Sequence, residues 1–418
     1  MTHTAQPARR IGEVDMLRGF ALFGILVTNA AVLTMLLSFT GPNSDPVPMY
    51  DGTWDRLAYG IIYGFFLGKF YVLFAFLFGY SFTLQIAAAE RAGAAPVPRL
   101  LRRCAALLLI GLAHVCLLWI GDILTLYALL CAILVLLRKI RPRTAVIAGV
   151  VLYVMVAALA FAPGRGGGVG SLGEFFDLAT FRSGFLGSPA DVFATQVETG
   201  PIFALFTIVG QGFTSMGMFL LGMAAGKVRL FEDAERLRRW TPRALVIGVV
   251  VGLPVSTATV VVHTLRGGVP TYLYGLQELL NPALTVLYIA AIVWLAQSSH
   301  AASVGRLAPA GRMAASNYIG QSAVMAVVFT GYGFALGDRI PPFAVLAIAA
   351  VTYLVQLWVS ERWLRGHSYG PVEWVLRAAT YRQWPAWRRS ARVSTADVAT
   401  RAWPRPTSRP PAPPTRRW

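Results

Sequence analysis

The sequence predicts an all-α, polytopic integral membrane protein of about ten transmembrane helices, with both termini in the cytoplasm. Three observations lead there. Hydrophobic residues make up 56% of the 418 residues, and mean hydropathy is +0.59. Charged residues are only 13%, against about 25% in a soluble domain, so much of the surface needs a solvent other than water. Apolar runs near the roughly 20 residues that cross a bilayer as a helix recur along the chain. With the N-terminus inside, ten spans leave only Arg56, Lys69, Arg165, Arg182, Arg266 and Arg339 of the 37 Lys and Arg residues outside, and 31 inside. That asymmetry is the one that orients membrane proteins.

The expected elements follow in order. The first span, 18–38, comes after Arg9, Arg10 and Arg18. It is long for a signal-peptide core and no convincing small-residue cleavage pattern follows, so it reads as an uncleaved helix. Segment 53–68 is amphipathic enough to lie at the outer interface, and 69–88 is the second span. Spans 101–120 and 122–138 are joined by the tight turn Trp119-Ile120-Gly121-Asp122. After span 144–162 comes a long outside loop, 163–200, opening on the glycine-rich run 164–170 and carrying Glu174, Asp177, Asp191 and Glu198. Spans 201–225, 244–264, 277–297, 313–335 and 342–361 complete a polytopic membrane domain over 1–384. Residues 385–418 are rich in Arg and Pro and cannot build a core, so they read as a disordered cytoplasmic tail close to anionic lipid. No sequence repeat is visible.

The net charge of +18 does not imply nucleic acid, because the basic residues sit in short loops between spans, where orientation explains them. Cys104, Cys116 and Cys131 all fall inside apolar runs and show no pairing or metal-ligand spacing. No P-loop, dinucleotide glycine pattern, H-E-x-x-H or G-x-S-x-G occurs, and no metal is expected.

Ionisable and amide groups within spans are the functional candidates, because burying them in lipid is costly. Asp15 and Arg18 stand three apart on one helix face, as an interfacial pair or as a ligand for an anionic headgroup or cofactor. Asn29 lies about 16 Å further along that helix. His114 is the only histidine expected inside a span, in the outer half of 101–120 and eight residues before Asp122; its pKa range suits general base work. Arg99 and Arg102 place two guanidinium groups on one face, which suits phosphate oxygens or plain topology. Lys69 opens the second span from outside and is expected to snorkel. Asn317 and Gln321, four apart, point one face of 313–335 into the bundle.

Four stretches carry a resemblance. They are Asp15-Met-Leu-Arg18 through Asn29, Gly111-Leu-Ala-His114 through Tyr127, Arg312-Met through Gln321-Ser, and Tyr369-Gly-Pro-Val-Glu373-Trp. Together they resemble the YeiB-like bacterial membrane family, catalogued as domain of unknown function 418. More distantly, that family is similar to transmembrane acyltransferases, including the polysaccharide O-acyltransferases and the lysosomal heparan glucosaminide acetyltransferase. The resemblance implies ten or eleven spans and transfer of an acyl group from cytoplasmic acyl-CoA, such as acetyl-CoA, to an acceptor on the far side. Bacterial members of that wider group carry Arg-x10-His in the first span; here the pattern is Arg18-x10-Asn29, and the first outside loop holds no histidine. Only His114 stands in a position to substitute.

Two classes of function remain open on this reading. In the first, Asp15, Arg18, Arg99 and Arg102 hold acyl-CoA as a co-substrate that is not tightly bound. His114, Asn29 and Asp122 then carry the transfer to a small-molecule, glycan or lipid-linked acceptor near Asn317, Gln321 and Lys69. In the second, the chain exports or transports a small polar solute, or is a non-catalytic scaffold. Either way the expected location is a cell membrane, multi-pass, with lipid as neighbour, no nucleic-acid partner and an unassigned oligomeric state.

Overall fold

The apolar runs do become helices. The computed structural model describes residues 11–38, 50, 52–162 and 177–389. Its α-helices are α1 (Gly12–Ser38), α2 (Thr53–Ile61), α3 (Lys69–Arg91), α4 (Pro96–Leu117), α5 (Leu124–Leu136), α6 (Pro142–Ala158), α7 (Leu178–Leu186), α8 (Pro189–Lys227), α9 (Ala234–Ile247), α10 (Leu253–Arg266), α11 (Thr271–Ala296), α12 (Ala301–Gly305), α13 (Leu307–Arg312), α14 (Ala314–Phe329), α15 (Pro342–Gly366) and α16 (Pro371–Tyr381). No strand is present among the described residues, only the bridge between His367 and Arg388. Eight helical stretches are long and apolar enough to cross a membrane. Ile147, Val250, Leu354 and Val355 lie exposed on an outer surface, which hydrocarbon solvates and water does not. The chain is an all-α polytopic membrane protein.

Two of the ten expected spans are shorter than their apolar runs. Segment 122–138 holds α5, of 13 residues, and 313–335 holds α14, of 16 residues. At 1.5 Å per residue these reach about 20 and 24 Å, short of the roughly 30 Å hydrocarbon core. The missing length is taken by bends and turns that include apolar residues, such as Ile123 before α5, Leu137 after it and Phe334 after α14. Hydropathy does not distinguish such a turn from a helix.

The segment expected as the loop 163–200 is largely helical where described; 163–176, with the glycine-rich run and Glu174, lies outside the described residues. Asp177 caps α7 by accepting from the backbone N–H of Ala179 and Thr180. Ser188 and Asp191 form a reciprocal capping box that starts α8 at Pro189. The 39-residue α8 passes through Pro201 and extends over the end of α4, where Gln196 Nε2 donates to the Val115 carbonyl at 3.1 Å. Residues 385–389, expected to open the disordered tail, are packed against the bundle. Trp387 packs on Trp363, His367 and Trp374, and the Arg389 N–H donates to the Gly366 carbonyl. Residues 390–418 lie outside the described residues.

Inside the bundle α1 is the hub, packed on α3, α13, α14 and α15. Leu17, Leu22, Leu36 and Leu37 are fully enclosed. Beside it, α3 and α8 cross so closely that a Cβ on Gly222 would overlap the Phe76 carbonyl oxygen, and one on Gly79 would overlap that of Phe219. This is the small-residue contact that lets membrane helices approach backbone to backbone.

Candidate functional site

One end of the bundle, where α1, α4 and α16 begin and α3 ends, opens into a cavity of about 390 Å³. Five guanidinium groups line it: Arg18, Arg99, Arg103, Arg312 and Arg377. Glu373 is the acidic residue in its wall. The sequence logic is local. Positive residues cluster at helix ends of one side, and helix–helix packing turns several of them inward.

Three of these arginines are held by their surroundings. Arg18 Nη1 donates to Asp15 Oδ1 at 2.8 Å and to the Gly311 carbonyl at 3.4 Å, so Asp15 positions Arg18 rather than facing a ligand itself. Arg99 lies over the Tyr381 ring at 5.0 Å, and Arg377 lies over Tyr381 and Tyr369 at 4.5 and 5.0 Å. The expected partner of Arg99, Arg102, does not line the cavity. Its Nε donates to the Thr380 carbonyl at 3.0 Å, tying α4 to α16. Arg103, one residue later, takes the cavity position.

Glu373 explains the motif around it. Its Oε1 accepts from the N–H of Ala315 and Ser316 at 2.7 and 3.2 Å, and its Oε2 accepts from Ser316 Oγ at 2.5 Å. The carboxylate thus caps α14, while Ser316 Oγ accepts from the Val372 N–H at 3.0 Å and caps α16 in return. Burial pushes the Glu373 carboxyl above the ordinary carboxylate range, against the pull of these hydrogen bonds. The folded state therefore holds that proton more tightly than the unfolded chain does. Stability should fall as pH rises from about 4 through the raised value. Glu373→Gln, which keeps the shape, should flatten that fall in thermal-unfolding midpoints measured across this pH range.

The cavity ends on Tyr318 and Leu124. Behind Tyr318 stands His114, with ring centroids 5.1 Å apart. His114 Nδ1 and Asp122 Oδ1 are 2.8 Å apart, and both residues are buried, 3% and 1% exposed. Asp122 Oδ2 also accepts from the Thr125 N–H at 2.6 Å. A carboxylate committed as acceptor makes Nδ1 the donor, leaving the lone pair of a neutral imidazole on Nε2. That Nε2 is buried without a hydrogen-bond partner among the described residues. The tight turn after α4 brings the pair together across eight residues. Tyr318 completes the group: its hydroxyl accepts from the Ile123 N–H at 3.3 Å, and Asn29 lies close enough to influence it.

Three expected substrate residues lie elsewhere. Asn317 Nδ2 donates to the Ala310 carbonyl and to Ser360 Oγ, at 3.1 and 2.9 Å. Gln321 Nε2 donates to the Leu22 carbonyl and Gln356 Oε1, at 3.2 and 2.9 Å. Both amides tie α14 to its neighbours, and neither lines the cavity. Lys69 does not snorkel. It is fully enclosed, its Nζ donating at 3.0 Å to the Tyr63 carbonyl, where Gln277 Nε2 also donates. Gly68, at φ +85°, turns the chain so that Lys69 caps the end of the preceding helical segment. Nor is His114 the only histidine within a helical span. His263, in the last turn of α10, is buried, with Nδ1 3.2 Å from the Arg56 carbonyl and its ring stacked on Tyr63. Those contacts belong to helix packing, and none of these residues lines the arginine-lined cavity. Tyr318, Arg103, Arg312 and Arg377 are the site residues that local sequence reasoning did not put forward as ligands.

Fold and site together define a polytopic helical membrane protein with a cationic cavity at one end and a buried His–Asp pair behind its Tyr318 wall. The chain belongs to the family described as protein of unknown function (DUF418), whose profile matches residues 225–383. It is 32% identical over 393 residues to the uncharacterized protein YxaH of Bacillus subtilis (strain 168), covering 90% of this chain and 95% of that protein. It is 28% identical over 400 residues to an uncharacterized 39.9 kDa protein in the amylase 3′ region of Bacillus acidopullulyticus, covering 89% and 94%. The segment matched by the profile contains Arg312, Tyr318, Glu373 and Arg377; Arg18, His114 and Asp122 precede it.

Proposed function

We propose that this chain is a membrane-embedded acyltransferase of the bacterial inner membrane. It would move an acyl group from cytoplasmic acyl-CoA to an extracytoplasmic or lipid-linked hydroxyl or amine. The observation that carries the reading is the buried His114–Asp122 pair, with a free Nε2, directly behind the floor of an arginine-lined cavity. Five guanidinium groups suit the phosphates of a nucleotide thioester. From Arg18 to Asn29 and from Arg103 to His114 the chain advances eleven residues, about 16 Å of helix, so a donor anchored at the arginines extends its thioester toward the pair.

The chemistry then balances within the residues present. His114 Nε2 takes the proton of the acceptor O–H or N–H as that atom forms its bond to the thioester carbonyl carbon. Asp122 holds the imidazole in the required tautomer and steadies the imidazolium. The Asn29 amide, beside Tyr318, is placed to donate to the developing oxyanion. When the tetrahedral intermediate collapses the C–S bond breaks, and the proton on His114 passes to the departing thiolate. Tyr318 must rotate for donor and base to meet, since its ring lies between the cavity and His114.

The direct test is ligand-induced stabilisation. A ligand that binds only the folded state at 100 times its Kd adds about 2.7 kcal/mol, so acyl-CoA should raise the unfolding midpoint of the purified protein. Arg103→Ala and Arg18→Ala should each weaken apparent donor affinity by about 10- to 100-fold, the effect of losing one charge-assisted hydrogen bond, with KM changed more than kcat. An unchanged midpoint with acyl-CoA would remove the basis for this donor. The fully buried Lys69, which interacts electrostatically with Glu278, favours the alternative of solute transport. That reading predicts solute flux without any acyl donor.

A further inference from the structure

A second concavity lies on the flank of the bundle, away from the arginine-lined cavity. It is a cleft of about 650 Å³ between α6 on one side and α9 and α11 on the other, with α8 as its base. Its walls are apolar: Val146 and Ile147 from α6, Met218 and Leu221 from α8, Val286 and Ile289 from α11. Val146 and Ile147 are 43% and 65% exposed, so the cleft opens on the face that meets hydrocarbon. A volume in the usual range of ligand sites, apolar and open toward the lipid-facing surface, suits lipid chains better than water.

The rim is different in kind. Arg143, in the first turn of α6, stands at one edge and Trp240 of α9 at the other. Arg143 is exposed and has no acidic partner among the described residues, whereas Arg236 and Arg239 of α9 pair with Asp233 and Glu235. Around Arg143 the α5–α6 turn adds Arg138, Lys139 and Arg141. This turn is fixed to the end of α8, because Lys227 Nζ donates to the Arg138 carbonyl at 2.8 Å and to that of Ile140. Tryptophan and unpaired arginine at the end of spanning helices mark the headgroup layer, and a basic cluster there selects negative charge.

We propose that this cleft is a binding site for an anionic phospholipid, its phosphate at Arg143 and its acyl chains along the walls of α6, α8 and α11. The charge complementarity and the continuous apolar wall point to one molecule carrying both features. A free phosphate leaves the walls unfilled, and a zwitterionic lipid leaves the basic rim uncompensated. The site is independent of the acyl-transfer reading.

Native mass spectrometry of the purified full chain, delipidated and then offered phosphatidylglycerol or phosphatidylcholine of matched chains, tests it. The wild type should retain phosphatidylglycerol at least about threefold better, the preference expected of a basic headgroup site. Arg143→Ala should reduce that preference to near parity, and Ile147→Trp, which fills the cleft from a lipid-facing position, should lower retention of both lipids. Unfolding midpoints confirm that each variant is folded. Equal retention by the wild type, retention of detergent alone, a dimer whose interface covers the cleft, or a preference untouched by both variants would each overturn the proposal.

Discussion

Replacing His114 with alanine should abolish acyl transfer while leaving the protein folded and still stabilised by acyl-CoA. General base catalysis contributes about 10²- to 10⁴-fold, and in the proposed mechanism the same imidazole would serve acceptor and leaving group. Asp122→Asn should lower kcat by a similar factor with little change in donor KM. The asparagine keeps the size, but its amide can present an N–H to Nδ1, shifting the imidazole proton to Nε2 and removing the base. The Thr125 N–H would still find the side-chain oxygen, so the turn held by the 2.6 Å bond in the native protein should persist. Single-turnover transfer with purified variants reads both effects. A His114→Ala protein that transfers at the wild-type rate would exclude the histidine from the chemistry.

The largest effect on stability is expected from Gly222→Leu. Its Cβ would overlap the Phe76 carbonyl oxygen, a backbone atom that cannot move without separating α3 from α8. Overpacking a well-packed site costs about 1–3 kcal/mol and sometimes more, and backbone displacement places this substitution at the upper end or beyond. Gly210→Leu, also in α8 but with nothing within 4 Å of the added Cβ, serves as the control. Thermal unfolding and monodispersity in detergent should separate the two. Equal behaviour would mean that α3 and α8 can part at little cost.

Much of this architecture is legible in the sequence because lipid imposes one rule on every span. A run of apolar residues must satisfy its own backbone, and does so as helix. What hydropathy misses is where polar residues continue a helix or apolar ones end it. The Ser188–Asp191 capping box is a readable helix start well ahead of the apolar run at 201, but a polar stretch outside the membrane looks like loop. Leu137 and Phe334 look like span and are turn. At the site, His114 and Asp122 can be paired from sequence because a short turn links them. The exchange of Arg102 for Arg103 cannot, since it depends on α16, which closes over α4 from the far end of the chain. Asn317 and Gln321 draw attention from Tyr318, yet their amides bind neighbouring helices. Lys69 has the sequence position of a snorkelling end residue, and only the reversal at Gly68 places the Tyr63 carbonyl beneath it.

Whether the arginine-lined cavity feeds an acyl donor to His114 is tested most directly by transfer itself. The purified protein, in proteoliposomes, would be incubated with acetyl-CoA labelled in the acetyl group and with a mixture of glycan and lipid-linked acceptors. Label is expected on an acceptor hydroxyl or amine with the wild type, and none with His114→Ala. Failure of the wild type to transfer or bind any label, or equal transfer by the His114→Ala protein, would contradict a donor path from the arginines to the histidine.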